Sequence, residues 1–129
     1  IVTDLNNLKT INDELGHAAG DALLRRVGEV LIEAVDAPSY AARVGGDEFS
    51  VLLPNTDERS GAVIVERIQK LIELNNQYYS GVTLSLSIGA ATSEPGERME
   101  TVVQRADANM YADKRRYYLA GEVADRRAG

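Results

Sequence analysis

Apolar residues along this chain fall into two rhythms. Between residues 18 and 34, Leu23, Leu24, Val27, Val30, Leu31 and Ala34 recur every three or four positions and draw one apolar stripe, which predicts an amphipathic helix. Ile64, Ile68, Leu71 and Ile72 repeat the pattern, as do Val102, Val103, Ala106 and Met110 in a helix starting near residue 98. The second rhythm is the short β-rich run: "IVTDL" at 1–5, "YAARV" at 40–44, "EFSVLL" at 48–53 and the alternating "VTLSLSIGAA" at 82–91. Between these runs lie the punctuation signals. Residues 6–16 read as a loop with a short helical turn, and "DAPS" at 36–39 stops the first long helix. Gly45-Gly46 predicts a two-residue hairpin turn with positive φ, and Asn55 followed by Glu58 predicts a capping box. Residues 119–129 have no usable period and are expected to form a loose tail.

The resulting order, β–α–α–β–β–α–β–α, predicts an α/β domain of the α+β sandwich type, with helices covering a sheet of split βαβ, ferredoxin-like form. A right-handed crossover makes "IVTDL" parallel to "YAARV". If "EFSVLL" slots between them, the sheet is largely antiparallel, and Asp4 meets Asp47 and Glu48 at one edge.

Composition narrows the class. A chain of 129 residues, 44% apolar and 26% charged, suits one domain with a proper core. A net charge of −6 argues against DNA or RNA as a partner. The absence of cysteine excludes disulfides and thiolate metal sites. Neither a membrane-spanning run nor a signal peptide is visible, so a cytoplasmic location is expected. Opening on a strand suggests a piece of a longer protein.

The converging acids carry the chemistry. Three carboxylates without a cation would raise one another's pKa values and cost stability. A divalent cation relieves this, because carboxylates and a backbone carbonyl form the hard oxygen site that magnesium shares with phosphate. Gly45 and Gly46 beside them leave room for a ligand to approach the backbone. A hairpin platform for a metal-bound polyphosphate is one reading, and a solvated turn of ordinary Gly-Gly-Asp-Glu composition is the other.

Longer motifs point further. "RVGGDEF" at 43–49, "DLNNLKTINDELGHAAGD" at 4–21, "SIGAA" at 87–91 and "RADANMYADK" at 105–114 together resemble the GGDEF domain of diguanylate cyclases, in family order. The resemblance places a GGDEF domain over residues 1–118 with the architecture of a nucleotidyl cyclase palm. It implies that two GTP molecules become cyclic di-GMP and two pyrophosphates, at the interface of two facing copies and with Mg2+ or Mn2+. By motif, Asp4 through its carboxylate, Leu5 through its carbonyl and Asp47 would hold metal. Asp47 or Glu48 would take the 3′-hydroxyl proton. Asn12 and Asp21 would read guanine, Lys114 and Lys9 would reach phosphates, and an upstream sensory domain would control the whole. His17 with Gly16 is expected to shape its loop, and Met110 with Tyr111 to pack in the core.

The chain departs from the family pattern at several points. The helix and loop that usually open the domain are not in this sequence. Asp36 stands where many members have the arginine of an inhibitory Arg-x-x-Asp, so no inhibitory product site is expected. Tyr118 replaces an arginine four residues after the phosphate lysine, and Arg115 and Arg116 point elsewhere on a helix. Such losses leave an alternative: a weak or inactive GTP-binding module that regulates a partner domain.

Overall fold

The backbone of residues 1–128 and the side-chain surroundings of residues 1–121 are described by the computed structural model. The chain runs β1 (Val2–Leu5), α1 (Leu8–Leu15), α2 (His17–Ala34), β2 (Tyr40–Arg43), β3 (Glu48–Leu52), α3 (Glu58–Tyr78), β4 (Leu86–Gly89) and α4 (Met99–Ala128). The sheet order is β2-β3-β1-β4 with every neighbouring pair antiparallel. β3 therefore does lie between β1 and β2, the arrangement on which the meeting of the acids depends.

Strand alternation sorts side chains between two layers. Thr3 and Leu5, Phe49 and Val51, and Leu86 and Ile88 belong to one face, where the apolar residues among them meet Leu23, Val27, Leu31 and Ile68 of α2 and α3 in the main core. Val2 turns to the other face, packing with Ala106 and Met110 of α4. Asp4 and Glu48 share that second face by the same period. α4 packs on β4 and β1, and beside it a groove of about 880 Å³ runs along β2 and β3, with Tyr40, Ala42, Leu52 and Met99 in its lining.

Several local expectations need correction. Residues 8–15 form a full helix rather than a turn, because Ile11 is buried and Leu8 packs with it against the core. Gly16, at φ 89°, then separates α1 from α2. The hairpin loop is residues 44–47, longer than two residues, and neither Gly45 nor Gly46 is among the glycines with positive φ. Instead Arg43 ties it, donating from Nε to the Gly45 carbonyl (3.1 Å) and from Nη2 to that of Gly46 (2.7 Å). The cap of α3 is Asp57, whose Oδ1 accepts from the Ser60 amide at 2.7 Å, while Asn55 occupies a left-handed turn position.

The alternating run at 82–91 yields only the short β4. Upstream of it, side chains take over the backbone groups that a ladder would have used. Asn76 accepts from the Leu84 amide (2.7 Å) and donates to its carbonyl (2.9 Å), and Arg26 donates to the Val82 carbonyl (2.8 Å). On α4, Val102, Ala106 and Met110 are buried, but Val103 and Tyr111 are exposed, so neither belongs to the core. The helix continues to Ala128, so residues 119–128 are helical in conformation where the sequence pattern predicts an irregular tail. Among the described residues no helix is long and apolar enough to cross a membrane.

β4 and α4 approach so closely that a Cβ on Gly89 would strike the Ala106 carbonyl oxygen and the Met110 amide. Both obstacles are backbone and cannot turn aside. We expect Gly89→Ala to cost ~3 kcal/mol in urea unfolding, the upper end of ordinary overpacking. Gly28 of α2 has open space around it, so Gly28→Ala should gain ~0.5–1 kcal/mol through helix propensity. Equal effects of the two substitutions would contradict the close β4–α4 packing.

Candidate active site

Asp4 and Glu48 are direct cross-strand partners in the β1–β3 register. One residue further along, the Leu5 amide donates to the Asp47 carbonyl at 2.9 Å, which fastens the hairpin loop to the end of β1. Three acids from two distant stretches are thereby brought together, as the strand order demands. Like charges facing each other across a ladder repel, and their titration reflects it. Burial pushes the Asp4 pKa up, and Asp47 adds to the rise while the Lys114 ammonium partly offsets it. Glu48 is pushed up by burial and then by Asp107, Asp4 and Asp47.

Lys114 comes down from α4 to this edge. Its Nζ lies 2.9 Å from Asp4 Oδ2, with the two side chains only 22% and 17% exposed. Burial draws the Lys114 pKa down, but its hydrogen bond and attraction to Asp4 outweigh that and leave it raised. The expected phosphate lysine is thus at the site, but its charge is spent on Asp4. The second oxygen, Asp4 Oδ1, is buried and has no hydrogen-bond partner.

A divalent cation suits that orphaned oxygen. Among the described residues no three acidic or histidine side chains are grouped to hold a metal ion by themselves. Magnesium does not need such a cage, since it commonly takes one or two carboxylates and fills its remaining positions with water and substrate phosphate. The donors here, Asp4 and Asp47 with the nearby backbone of Leu5, fit that incomplete set.

The bend after β1 is held by contacts that sequence reasoning missed. Asn7 stands at the N-cap position of α1 with φ 65°, and its amide donates to the Tyr118 hydroxyl (3.2 Å) while its Nδ2 donates to that of Tyr117 (2.7 Å). Tyr118 therefore faces the β1–α1 bend. Arg116 pairs with Asp113 at 3.4 Å on the exposed side of α4. Asn6, buried, donates to Ser85 Oγ (3.0 Å) and accepts from Ser87 Oγ (2.8 Å), joining the bend to β4. Asparagines in the run "LNNL" were the only available signal of these roles.

The other expected residues spread along α1 and α2. Asn12 is half-buried on α1, with its Oδ1 where a Cβ of Gly20 would stand, so Gly20 is what admits its side chain. Asp21 follows Gly20 in the first turns of α2 and is exposed, as are Lys9 and His17. Gly45 and Gly46 meet no obstacle to a side chain closer than Glu48 Cβ, 3.6 Å from a Cβ on Gly45. Neither packing nor φ accounts for two glycines, and the exposed backbone they leave is open to a ligand.

A family model described as "Diguanylate cyclase, GGDEF domain" matches residues 1–117. Over 117 residues the chain is 34% identical to diguanylate cyclase A of Treponema denticola, covering 88% of this chain and 32% of that protein. It is 37% identical over 116 residues to diguanylate cyclase DgcP of Pseudomonas aeruginosa, covering 88% of this chain and 17% of the relative. The chain thus spans less than a third of the length of these relatives. In structure it is similar to the GGDEF domain of DgcB from Caulobacter crescentus in complex with c-di-GMP, with a TM-score of 0.79 and 33% identity over 88% of this chain and 70% of that one.

Repulsion at the carboxylate edge has a measurable sign. A carboxyl whose folded pKa lies above its unfolded value costs stability once both states are ionised, and that cost disappears below the unfolded pKa. With metal chelated, Glu48→Gln should therefore raise the thermal midpoint at pH 7. The advantage should shrink as pH falls through the raised Glu48 value and vanish below about pH 4, near the ordinary glutamate pKa. Melting curves across that range check it; a variant less stable than the parent at pH 7 would contradict the assignment.

Proposed function

Because the chain belongs to the GGDEF diguanylate cyclase family, we propose that it is itself a diguanylate cyclase, one copy holding one GTP opposite a second. The observation that carries the reading is the pairing of Asp4 with Glu48 beside Asp47, with one buried carboxylate oxygen of Asp4 left without a partner. Two GTP would give cyclic di-GMP and two pyrophosphates. Each 3′-oxygen forms a bond to the α-phosphorus bound by the facing copy, and each α–β phosphoanhydride bond breaks to release pyrophosphate.

Asp4 and Asp47, with the Leu5 carbonyl, would hold Mg2+ or Mn2+. Such an ion, when bound, neutralises phosphate charge and stabilises the departing pyrophosphate. The chain's own residues do the rest. The glycine backbone at 45–46 lets the nucleotide lie close to the sheet edge. Glu48, its pKa raised by burial and by three neighbouring acids, is the better placed of the two candidate bases to accept the 3′-hydroxyl proton. Asp47, beside it, would face the metal.

Asn12 and Asp21 would recognise the base. A carboxylate accepts from both the N1–H and the N2 amino group of guanine, a donor pair that adenine lacks. Lys114, with Lys9 further out on α1, would answer the phosphates, so much of the site is positioning and charge, as phosphoryl transfer requires. A sensory domain elsewhere in a longer protein, and a cytoplasmic setting for the substrate, complete the proposal. With Asp36 in place of an arginine, product feedback through an Arg-x-x-Asp site is not part of it.

Incubation with GTP and magnesium, followed by mass spectrometry, should reveal cyclic di-GMP. Asp47→Asn should abolish product while leaving the circular dichroism spectrum unchanged, and undiminished product would remove Asp47 from the site. Specific activity should rise with protein concentration, since one copy supplies half of the reacting pair. GTP bound without any product would favour a regulatory binding module instead.

Base selection gives a separate test. GTP should bind about fivefold to a hundredfold more tightly than ATP, because a carboxylate left facing the wrong base edge loses ~1–3 kcal/mol. Asp21→Ala should bring the two nucleotides together, and calorimetry finding no preference in the parent protein would refute the guanine-reading pair.

A further inference from the structure

The ion pair between Lys114 and Asp4 occupies the carboxylate that a divalent cation would use. Lys114 Nζ is 2.9 Å from Asp4 Oδ2, and both side chains are largely withdrawn from water. The other oxygen of Asp4 remains buried and unbonded. In this state the acid is served by one cation from α4, and only on one side.

We infer that Lys114 is a resident counter-ion that competes with the divalent cation for Asp4, so that metal enters this site together with a nucleotide rather than ahead of it. The inference rests on the cyclase reading for the identity of the nucleotide, but the competition itself depends only on Asp4 and Lys114. An ammonium and a dication sharing one carboxylate repel each other at short range, in surroundings that screen charge poorly. Metal arriving alone at the free oxygen meets the lysine's charge across the same carboxylate, and driving the lysine off would cost a half-buried ammonium its hydrogen-bonded partner. A nucleotide supplies that anion, because its phosphates accept the ammonium while its oxygens complete the metal's coordination. The two ligands therefore favour each other, and the coupling is reciprocal.

The neighbouring contacts make the switch local. Lys114 is carried by the same stretch of α4 whose Tyr117 and Tyr118 hold Asn7. The helix is thus anchored to the β1–α1 bend on the C-terminal side of the lysine. On its N-terminal side Asp113 Oδ2 accepts from the Ile88 amide at 2.9 Å. Between these anchors the flexible lysine stem is free to swing its charge from carboxylate to phosphate without moving the helix. Lys114 is thereby a positioning residue for the metal as well as a phosphate contact.

Calorimetric titration with Mn2+ alone, in the absence of nucleotide, tests this without reference to turnover. The parent protein should bind Mn2+ weakly, and Lys114→Met should bind it about tenfold more tightly, within the usual span of coupling between sites. Lys114→Arg, which keeps the positive charge, should stay close to the parent and controls for loss of packing. In the parent, a saturating non-hydrolysable GTP analogue should tighten Mn2+ binding, and Lys114→Met should lose most of that enhancement. Unchanged or weaker Mn2+ binding by a folded Lys114→Met protein would overturn the inference even if cyclic di-GMP is made normally. Tighter Mn2+ binding by that variant with no product from the parent would instead uphold the competition and count against the cyclase reading. Should Lys114→Met fail to fold, the parent alone decides: Mn2+ binding equally tight with and without the analogue would overturn the inference.

Discussion

Everything at this site depends on the register between β1 and β3. Once Thr3 faces Phe49, Asp4 must face Glu48, and the two carboxylates cannot relax away from each other without slipping the strands. A one-residue slip would send Val51, Phe49 and Leu5 out of the main core, so the apolar face enforces the proximity of the acids. Hydrophobic burial thus sustains an electrostatic conflict that the acids alone would dissolve. The conflict is eased on one side by Lys114 and left open on the other, at Asp4 Oδ1.

α4 is the element through which the two halves of the domain communicate. Its N-terminal half packs Ala106 and Met110 against Val2, and Gly89 is the concession that allows that approach. Its later turns carry Asp113, Lys114, Tyr117 and Tyr118, which contact β4, β1 or the bend after β1. One helix therefore both closes the second face of the sheet and sets charge at its edge. A second clamp, Arg26 with Asn75, Asn76 and the Val82 carbonyl, works on the opposite face by joining α2, α3 and the approach to β4.

Much of this was legible beforehand. Helical spacing found the stripes at Leu23–Ala34 and around Ile68, and β-run order with crossover handedness made the meeting of Asp4 with Asp47 and Glu48 follow once the third strand lay in the middle, a position that only the structure decides. What escaped was side-chain competition for backbone groups. Nothing in the period of "VTLSLSIGAA" says that Asn76 and Arg26 will claim the peptide groups of Leu84 and Val82 and shorten the strand. The true cap of α3 was missed for a related reason, since Asn55 and Asp57 are both good capping residues and only the backbone turn selects between them. Leu8 and Ile11 are too few to announce a helix by periodicity, and α1 exists because it packs on α2. Lys114 was singled out by its motif, but its pairing with Asp4 joins positions 110 residues apart and could come only from three dimensions.

The Asp113 contact with the Ile88 amide bears on how copies of this chain can associate. β4 is an edge strand, and an edge offers free peptide groups on which a foreign strand can template itself. Here the middle of that edge is already claimed by a carboxylate from α4, which adds negative charge where an incoming backbone would need a donor. Sheet continuation from one copy to another is therefore blocked on the β4 side, leaving β2 as the open border. The proposed facing arrangement of two copies would then be made without β4, through loops, helices or the β2 border. Withholding β4 removes one of the sheet's two borders from the strand-to-strand growth that turns dimers into fibres.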